Sequence, residues 1–173
     1  MLLPREQALR FIEGYKSVLL RVLADTNAPT SKSINSDLAA ARTLVKNNRN
    51  LLETALAELA AEGNEVESAV VAAIRSMRVD IWLYVRQTKT FAVFLDKESN
   101  NAYAVRALTT QLEQLVDKPP FALETGVFEF EGHFVCDGLV QNPVALGPGY
   151  RARLTAADSQ IRKSGRFHAR AEA

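Results

Sequence analysis

The sequence predicts an α+β protein: an N-terminal helical bundle, then a mostly antiparallel sheet, then a C-terminal helix. Up to about residue 79, apolar residues recur every three or four positions, which is the period of an amphipathic helix. From about residue 80 they alternate, and aromatic and β-branched types dominate, which indicates strands. We therefore expect a helical region at 1–79, a sheet region with its C-terminal helix at 80–165, and a frayed tail at 166–173.

Three helices are predicted in the N-terminal region, at about 4–24, 36–62 and 64–78. Pro4 suits the first turn of the first helix, and Asn64 with Glu67 resembles a capping box at the start of the third. The second helix carries apolar residues spaced by sevens, namely Leu38, Val45, Leu52 and Leu59. This repeat is compatible with a coiled-coil dimer. Asn48 interrupts it, so we favour a surface that faces the protein's own core.

Five or six strands follow, at about 81–86, 91–95, 102–106, 121–130, 133–139 and 141–146. A short helix near 108–115 interrupts them, and Pro148 begins the final helix. In the long fourth strand the apolar side changes between Leu123 and Phe128, which predicts a β-bulge at Gly126. A sheet that follows helices in this way needs them, or a partner, to cover one of its faces.

Composition points to a globular protein with an ordinary charge balance. The chain has 173 residues, 47% of them apolar, and a net charge of +1. Its single cysteine, Cys136, excludes an intrachain disulfide, which fits a reducing compartment. The first residues lack the basic and apolar regions of a signal peptide, and the apolar runs fall well short of the ~20 residues that span a membrane. We expect a cytoplasmic protein without membrane contact.

Catalytic and metal-binding patterns are weak. His133, Cys136 and Asp137 lie in one predicted strand, but strand alternation points His133 and Cys136 to opposite faces. His133 and Asp137 share a face at a separation of roughly 13 Å, which is beyond hydrogen-bond reach. Two histidines and one cysteine cannot build a structural zinc site. We expect no metal and no cofactor, and an enzyme with a site near His133 and Asp137 is the weakest of three hypotheses.

The C-terminal segment is locally basic. Residues 148–173 contain six basic and two acidic side chains, and the predicted helix places several of them on one side. The candidate binding residues are Arg151, Arg162, Lys163 and Arg166. Such a stripe could contact the phosphates of a nucleic acid. It lacks the interleaved aromatic residues on which bases stack, so nucleic-acid binding is the second hypothesis.

The segment 130–139 reads Phe-Glu-Gly-His-Phe-Val-Cys-Asp-Gly-Leu. It resembles a group of uncharacterised bacterial proteins that share a Pro-Phe-x-Gly-x-x-x-x-Asp-Gly-Leu hairpin, and it departs from that pattern at Glu129, where they have proline. The resemblance covers about residues 80–165. It implies a bacterial or phage source and the same order of helices, strand pair and final helix, and it transfers no activity or site residue.

The leading functional hypothesis is a non-enzymatic binding or regulatory module that acts through protein–protein contacts, with self-association as one form. It depends on two surfaces that the sequence predicts. One is an aromatic-rich sheet, and the other is a set of amphipathic helices, and each could cover the other or a partner. No catalytic motif competes with this interpretation.

Overall fold

The computed structural model describes residues 2–31 and 33–171. The chain divides into two compact units. One is Glu6–Ser76, and the other combines the described residues before Glu6 with those from Met77 onward. The first unit is helical and the second contains the strands. None of the described helices combines the length and the apolarity that a membrane-spanning segment needs.

The helical unit holds four helices where three were predicted: α1 Arg5–Thr26, α2 Ile34–Asn47, α3 Asn50–Ala61 and α4 Ser68–Ser76. The predicted second helix is broken at Asn48, whose backbone is extended at φ −141° and ψ 97°. The Oδ1 atom of Asn48 accepts a hydrogen bond from the N–H of Asn50 at 3.1 Å, which starts α3 in a new direction. Val45, Leu52 and Leu59 are buried, so most of the seven-residue repeat faces the protein interior.

The strands form a closed five-stranded barrel; most of its pairings are antiparallel, as expected, but the expectation of an open sheet is wrong. Its strands are β1 Arg78–Gln87, β2 Ala92–Asp96, β3 Ala102–Ala107, β4 Phe121–Phe130 and β5 His133–Cys136. The order β1-β2-β3-β5-β4 closes because β1 pairs with β2 on one edge and with β4 on the other. Strands β4-β1-β2-β3 form a Greek key. β3 and β5 are parallel, and the other four pairings in the ring are antiparallel.

The interior of the barrel is filled by one large apolar cluster. Its aromatic members are Trp82, Tyr84, Phe94 and Phe134. A short helix, α5 Leu112–Val116, follows β3 and adds its own buried Leu112 and Val116 to this cluster. The closed ring therefore buries most of the aromatic side chains that made the predicted sheet look like an open binding surface.

β4 has no bulge at Gly126, contrary to the prediction. It pairs with β1 without a register shift from Phe121 to Val127. Leu123 and Val127 lie in the interior cluster, and the even-numbered Phe128 is also buried. The apparent change of apolar side in the sequence arises because this strand is buried on both faces.

The segment 130–139 contains a break between two strands that both pair with β4. β5 pairs with the end of β4, and β6 Gln141–Ala145 pairs with its start. At the break, Oδ1 of Asp137 accepts hydrogen bonds from the N–H groups of Gly126 and Leu139 at 3.2 and 3.0 Å. The Asp137 carboxylate thus accepts a backbone hydrogen bond from β4 that a paired strand would otherwise accept. Gly138, at φ +77°, reverses the chain where a side chain would be strained.

The C-terminal arm, which we define as residues 148–170, packs against the outside of the barrel. It contains α6 Pro148–Lys163 and β7 Phe167–His168. Leu154 and Ile161 of α6 join an outer apolar cluster with residues of β1, β2 and β3, namely Val85, Val93, Leu95 and Ala102. β7 pairs in parallel with Ala102 and Tyr103 of β3, so the segment expected to be a frayed tail contains a strand.

Candidate functional site

The four predicted binding residues are exposed on the C-terminal arm, but they do not form one group. Arg151 stands near the start of α6, where its Nη2 donates to the carbonyl oxygen of Pro119 at 3.0 Å. Arg162 and Lys163 lie about 16 Å further along the helix. Arg166 follows the end of α6, and its Nε donates to Oγ of Ser164 at 2.9 Å. The structure therefore brings together Arg162, Lys163 and Arg166 and leaves Arg151 apart.

A buried carboxylate organises the arginines around the end of α6. Asp158 is 6% exposed and accepts hydrogen bonds from two arginines. Nε of Arg162 approaches Oδ1 at 2.9 Å, and Nε of Arg86, on β1, approaches Oδ2 at 3.1 Å. A buried charge requires such partners. The carboxylate therefore joins α6 to the barrel wall and holds two cations side by side.

Arg162 also stacks on an aromatic ring of the arm. Its guanidinium carbon lies 3.6 Å from the centroid of the Phe167 ring. That ring packs against Phe91, from the β1–β2 connection, with centroids 6.0 Å apart. A planar guanidinium over a ring is a favourable cation–π geometry. The turn after α6 thus places the aromatic ring of Phe167 against the basic side chain of Arg162. The helix itself has no aromatic residue interleaved with its basic stripe.

A second group of aromatic and basic side chains lies where β1 and β3 begin. We call this group the aromatic cluster, and its members are Arg78, Trp82, Tyr103, Phe134 and His168. The rings of Tyr103 and His168 are stacked, with centroids 4.9 Å apart and planes at 22°. Trp82 and Phe134 meet Tyr103 edge-on at 5.5 and 5.2 Å. Two rings of the cluster are buried, while Tyr103 and His168 remain partly open to solvent.

Arg78 and Asn101 fix the exposed rings of this cluster. Nη1 of Arg78 donates to the Tyr103 hydroxyl at 3.1 Å, and its guanidinium lies 5.9 Å from the Tyr103 ring centroid. Oδ1 of Asn101 lies 3.4 Å from Nε2 of His168, and Nδ2 of Asn101 donates to Asp96 at 2.9 Å. Because the amide nitrogen is engaged with Asp96, the amide oxygen is the acceptor and His168 donates from Nε2.

Further cations act on His133, the first residue of β5. Burial lowers the pKa of His133, and the charges of Arg106 and Arg170 lower it further, against the opposing charge of Glu131. Arg106 belongs to β3 and Arg170 to the end of the C-terminal arm. His133 and Phe134 are consecutive in the strand, so these cations are on the face opposite to the Phe134 ring. Lys97 pairs with Asp80 at 3.6 Å and with Glu98 at 3.8 Å.

The residues of the enzyme hypothesis are not brought together. His133 begins β5 and Asp137 follows its last residue, so the length of the strand separates them. Oδ1 of Asp137 accepts a hydrogen bond from Thr125 Oγ1 at 2.9 Å, in addition to those from the backbone. Cys136 is buried in the barrel interior, with its Sγ 3.2 Å from Thr125 Oγ1. These contacts connect β4 to β5 and its end, which is a structural use of Thr125, Cys136 and Asp137.

The sequence pattern did not identify four residues of these two groups. Arg86 lies beside Asp158, and Arg78, Tyr103 and His168 belong to the aromatic cluster. A signal existed for one of them: residues 166–170 read Arg-Phe-His-Ala-Arg, with two aromatic rings between two arginines. Aromatic rings flanked by cations are typical of segments that contact single-stranded nucleic acid. Within 2–31 and 33–171, no group of three His, Cys, Asp or Glu side chains is arranged to hold a metal. Comparison with protein-family models, curated proteins and solved structures gives no match.

Proposed function

We propose that the barrel unit binds nucleic acid through its C-terminal arm. The observation that carries the proposal is the convergence of exposed cations at the end of α6. Arg86, Arg162, Lys163 and Arg166 are all exposed there, and Asp158 is the carboxylate that pairs with two of them. Cations grouped on a rigid scaffold attract the phosphates of a polyanion and release its counterions.

A module that acts through protein contacts on its sheet would need the aromatic side chains of that sheet to be open to a partner. Trp82, Tyr84 and Phe94 instead lie inside the barrel, each at most 1% exposed. Apart from Pro148 and Tyr150, the exposed side chains of the arm are polar, basic or small, and a basic surface is typical of nucleic-acid-binding domains.

The barrel itself is a suitable scaffold, by analogy of fold alone. Five-stranded Greek-key barrels of the oligonucleotide- and oligosaccharide-binding class bind nucleic acids with a strand face and with loops. Fold does not fix function, so the argument depends on the arm's side chains. In this chain α6 covers the outer face of β1, β2 and β3. The contact surface that we propose is therefore the exposed part of the arm, and the strand face that α6 covers is excluded.

The test is binding of a fluorescein-labelled 15-nucleotide oligothymidylate, followed by fluorescence anisotropy at several salt concentrations. Contacts to about four phosphates predict that affinity falls several-hundred-fold for a tenfold rise in salt, since the slope for single strands is roughly −0.7 per phosphate. Lys163→Gln combined with Arg166→Gln should weaken binding and reduce that slope by about 1.4. Lys16→Gln combined with Lys46→Gln removes the same charge from the helical unit and should change neither. Affinity independent of salt, or equal loss in both double variants, would reject the proposal.

A second candidate is a protein-contact module that includes self-association, and one observation favours it. Ile81, Val144 and Tyr150 are 50–58% exposed on the barrel unit. Single exposed apolar side chains are common, and association surfaces bring several of them together. Light scattering over a range of concentrations tests this candidate. A dimer that Val144→Ser dissociates would support it, whereas a monomer at every concentration would remove self-association.

A further inference from the structure

We propose that the aromatic cluster is a base-stacking site and that the nucleic acid bound by the arm is single-stranded. This inference rests on the proposed function and specifies its substrate. In a duplex the bases are stacked on one another and their faces are covered. In a single strand the faces are free to stack on aromatic side chains, and each such stack strengthens binding.

The Tyr103–His168 pair provides the stacking platform. Its two rings are nearly parallel, at 22°, and both remain partly exposed. A base placed on the face of His168 that Tyr103 does not cover would extend an existing stack of two rings. The platform is rigid, because β7 pairs with β3 beneath it and Asn101 holds the edge of the His168 ring. Such preorganisation lowers the entropy cost of binding.

Charge complementarity identifies the occupant of this surface. Arg78 lies over the rings of Trp82 and Tyr103. Arg166 and Arg170 flank His168 at two residues on either side in the sequence, and both are exposed. A nucleotide strand whose base stacks on His168 therefore has cations available nearby for its phosphates. Aromatic faces alternating with cations in this way match a single-stranded nucleic acid rather than an apolar peptide.

The experiment compares oligothymidylate with an abasic oligomer of the same length and charge. We expect the wild-type chain to bind oligothymidylate roughly tenfold more tightly, since one base–aromatic stack contributes on that order. His168→Ala should reduce this preference to about one and leave the affinity for the abasic oligomer unchanged. His168→Phe, which retains a ring, should keep the preference. His133→Ala is the matched control, because it removes the chain's other histidine outside the stack.

Two further readouts separate a lost base contact from a lost fold. Trp82 is the chain's single tryptophan, and its ring centroid lies 5.5 Å from that of Tyr103. Its fluorescence should match between wild type and His168→Ala without nucleic acid, and should be quenched by oligothymidylate more than by the abasic oligomer. In nuclear magnetic resonance, the ring signals of His168 should shift on binding, and those of His133 should shift little.

The possible results discriminate between the two proposals. Equal affinity of the wild-type chain for both oligomers would overturn the base-stacking site and leave phosphate binding by the arm intact. Equal weakening of both oligomers by His168→Ala would likewise overturn it, because it would show a structural or purely electrostatic role. Duplex binding as tight as single-strand binding would reject the inferred substrate. Absence of salt-sensitive binding to either oligomer would reject the proposed function itself.

Discussion

Gly126 shows how tightly the sequence is constrained at single positions of the barrel. A Cβ atom at Gly126 would lie 2.6 Å from Oδ2 of Asp137 and 2.7 Å from Sδ of Met77. Asp137 cannot move away, because Oδ1 of the same carboxylate already accepts three hydrogen bonds. Glycine is therefore required at position 126 because Asp137 and Met77 leave no room for a Cβ atom. The backbone conformation at this position does not itself require glycine.

We predict that Gly126→Ala destabilises the protein by about 2 kcal/mol or more, through overpacking against the Asp137 carboxylate. The measurement is urea unfolding followed by the fluorescence of Trp82. Gly149→Ala is the control, since a Cβ there meets nothing within 4 Å, and it should change stability by about 0.5 kcal/mol at most. Similar unfolding midpoints for the two variants would contradict the close approach at Gly126.

His133 makes a pH-dependent contribution to stability. Its pKa in the folded protein is below the ordinary value of 6.5, chiefly through burial and then through Arg106 and Arg170. The unfolded chain therefore binds the proton more readily, so stability is complete above pH 6.5 and falls as the pH drops toward the folded pKa. We predict that His133→Asn loses less stability than wild type between pH 7.5 and 5.0 in urea unfolding. An equal or greater loss of stability in the variant would contradict the predicted direction of the pH dependence.

At the scale of elements, α6 is attached to the barrel by an apolar face and by one buried carboxylate. The side chain of Asp158 is 9% exposed, but the side chains of Arg86 and Arg162 are 44% and 35% exposed. Solvent screening at the two arginines limits the energy of these ion pairs. Their main consequence concerns function, because Asp158 neutralises cations that the proposed ligand would otherwise contact.

We predict that Asp158→Asn strengthens binding of oligothymidylate at low salt by roughly threefold to tenfold, since it frees two arginines from a carboxylate. Asparagine keeps the shape of the side chain and one acceptor, so the cost in stability should be about 1–2 kcal/mol. Glu113→Gln, an exposed single-charge change on α5, should alter affinity much less. Weaker binding by Asp158→Asn, with unchanged helix content in circular dichroism, would show that the arginines act on something other than phosphates.

Most elements could be predicted from local pattern, and their assembly could not. Pro148 is in the first turn of α6, as predicted, and Gly165, at φ +73°, follows its end. Asn48 interrupts the apolar repeat, but no local pattern predicts that one helix ends there and another begins. The hydrophobic period indicates which residues are buried, but it does not indicate which element covers them.

At the scale of the whole molecule, closure of the barrel is the feature that sequence patterns could not reveal. An alternating strand pairs equally well in an open sheet and in a closed ring, because both edges of β1 have the same backbone groups. The parallel pairing of β3 with β5 joins Val105 to Phe134, which lie 29 positions apart in the sequence. The candidate site depends on the same assembly, since Tyr103 and His168 meet only when β7 returns to β3.

The most direct test of the account is hydrogen–deuterium exchange of the full chain with and without oligothymidylate. The central claim is that the C-terminal arm, folded against the barrel, is the contact surface. We predict slower exchange on binding at 166–168 and at the paired residues Ala102 and Tyr103, where the N–H of Ala102 donates to the carbonyl of Arg166 at 3.1 Å. The helical unit should remain unchanged. Binding without added protection in these segments, or protection confined to Glu6–Ser76, would contradict the account.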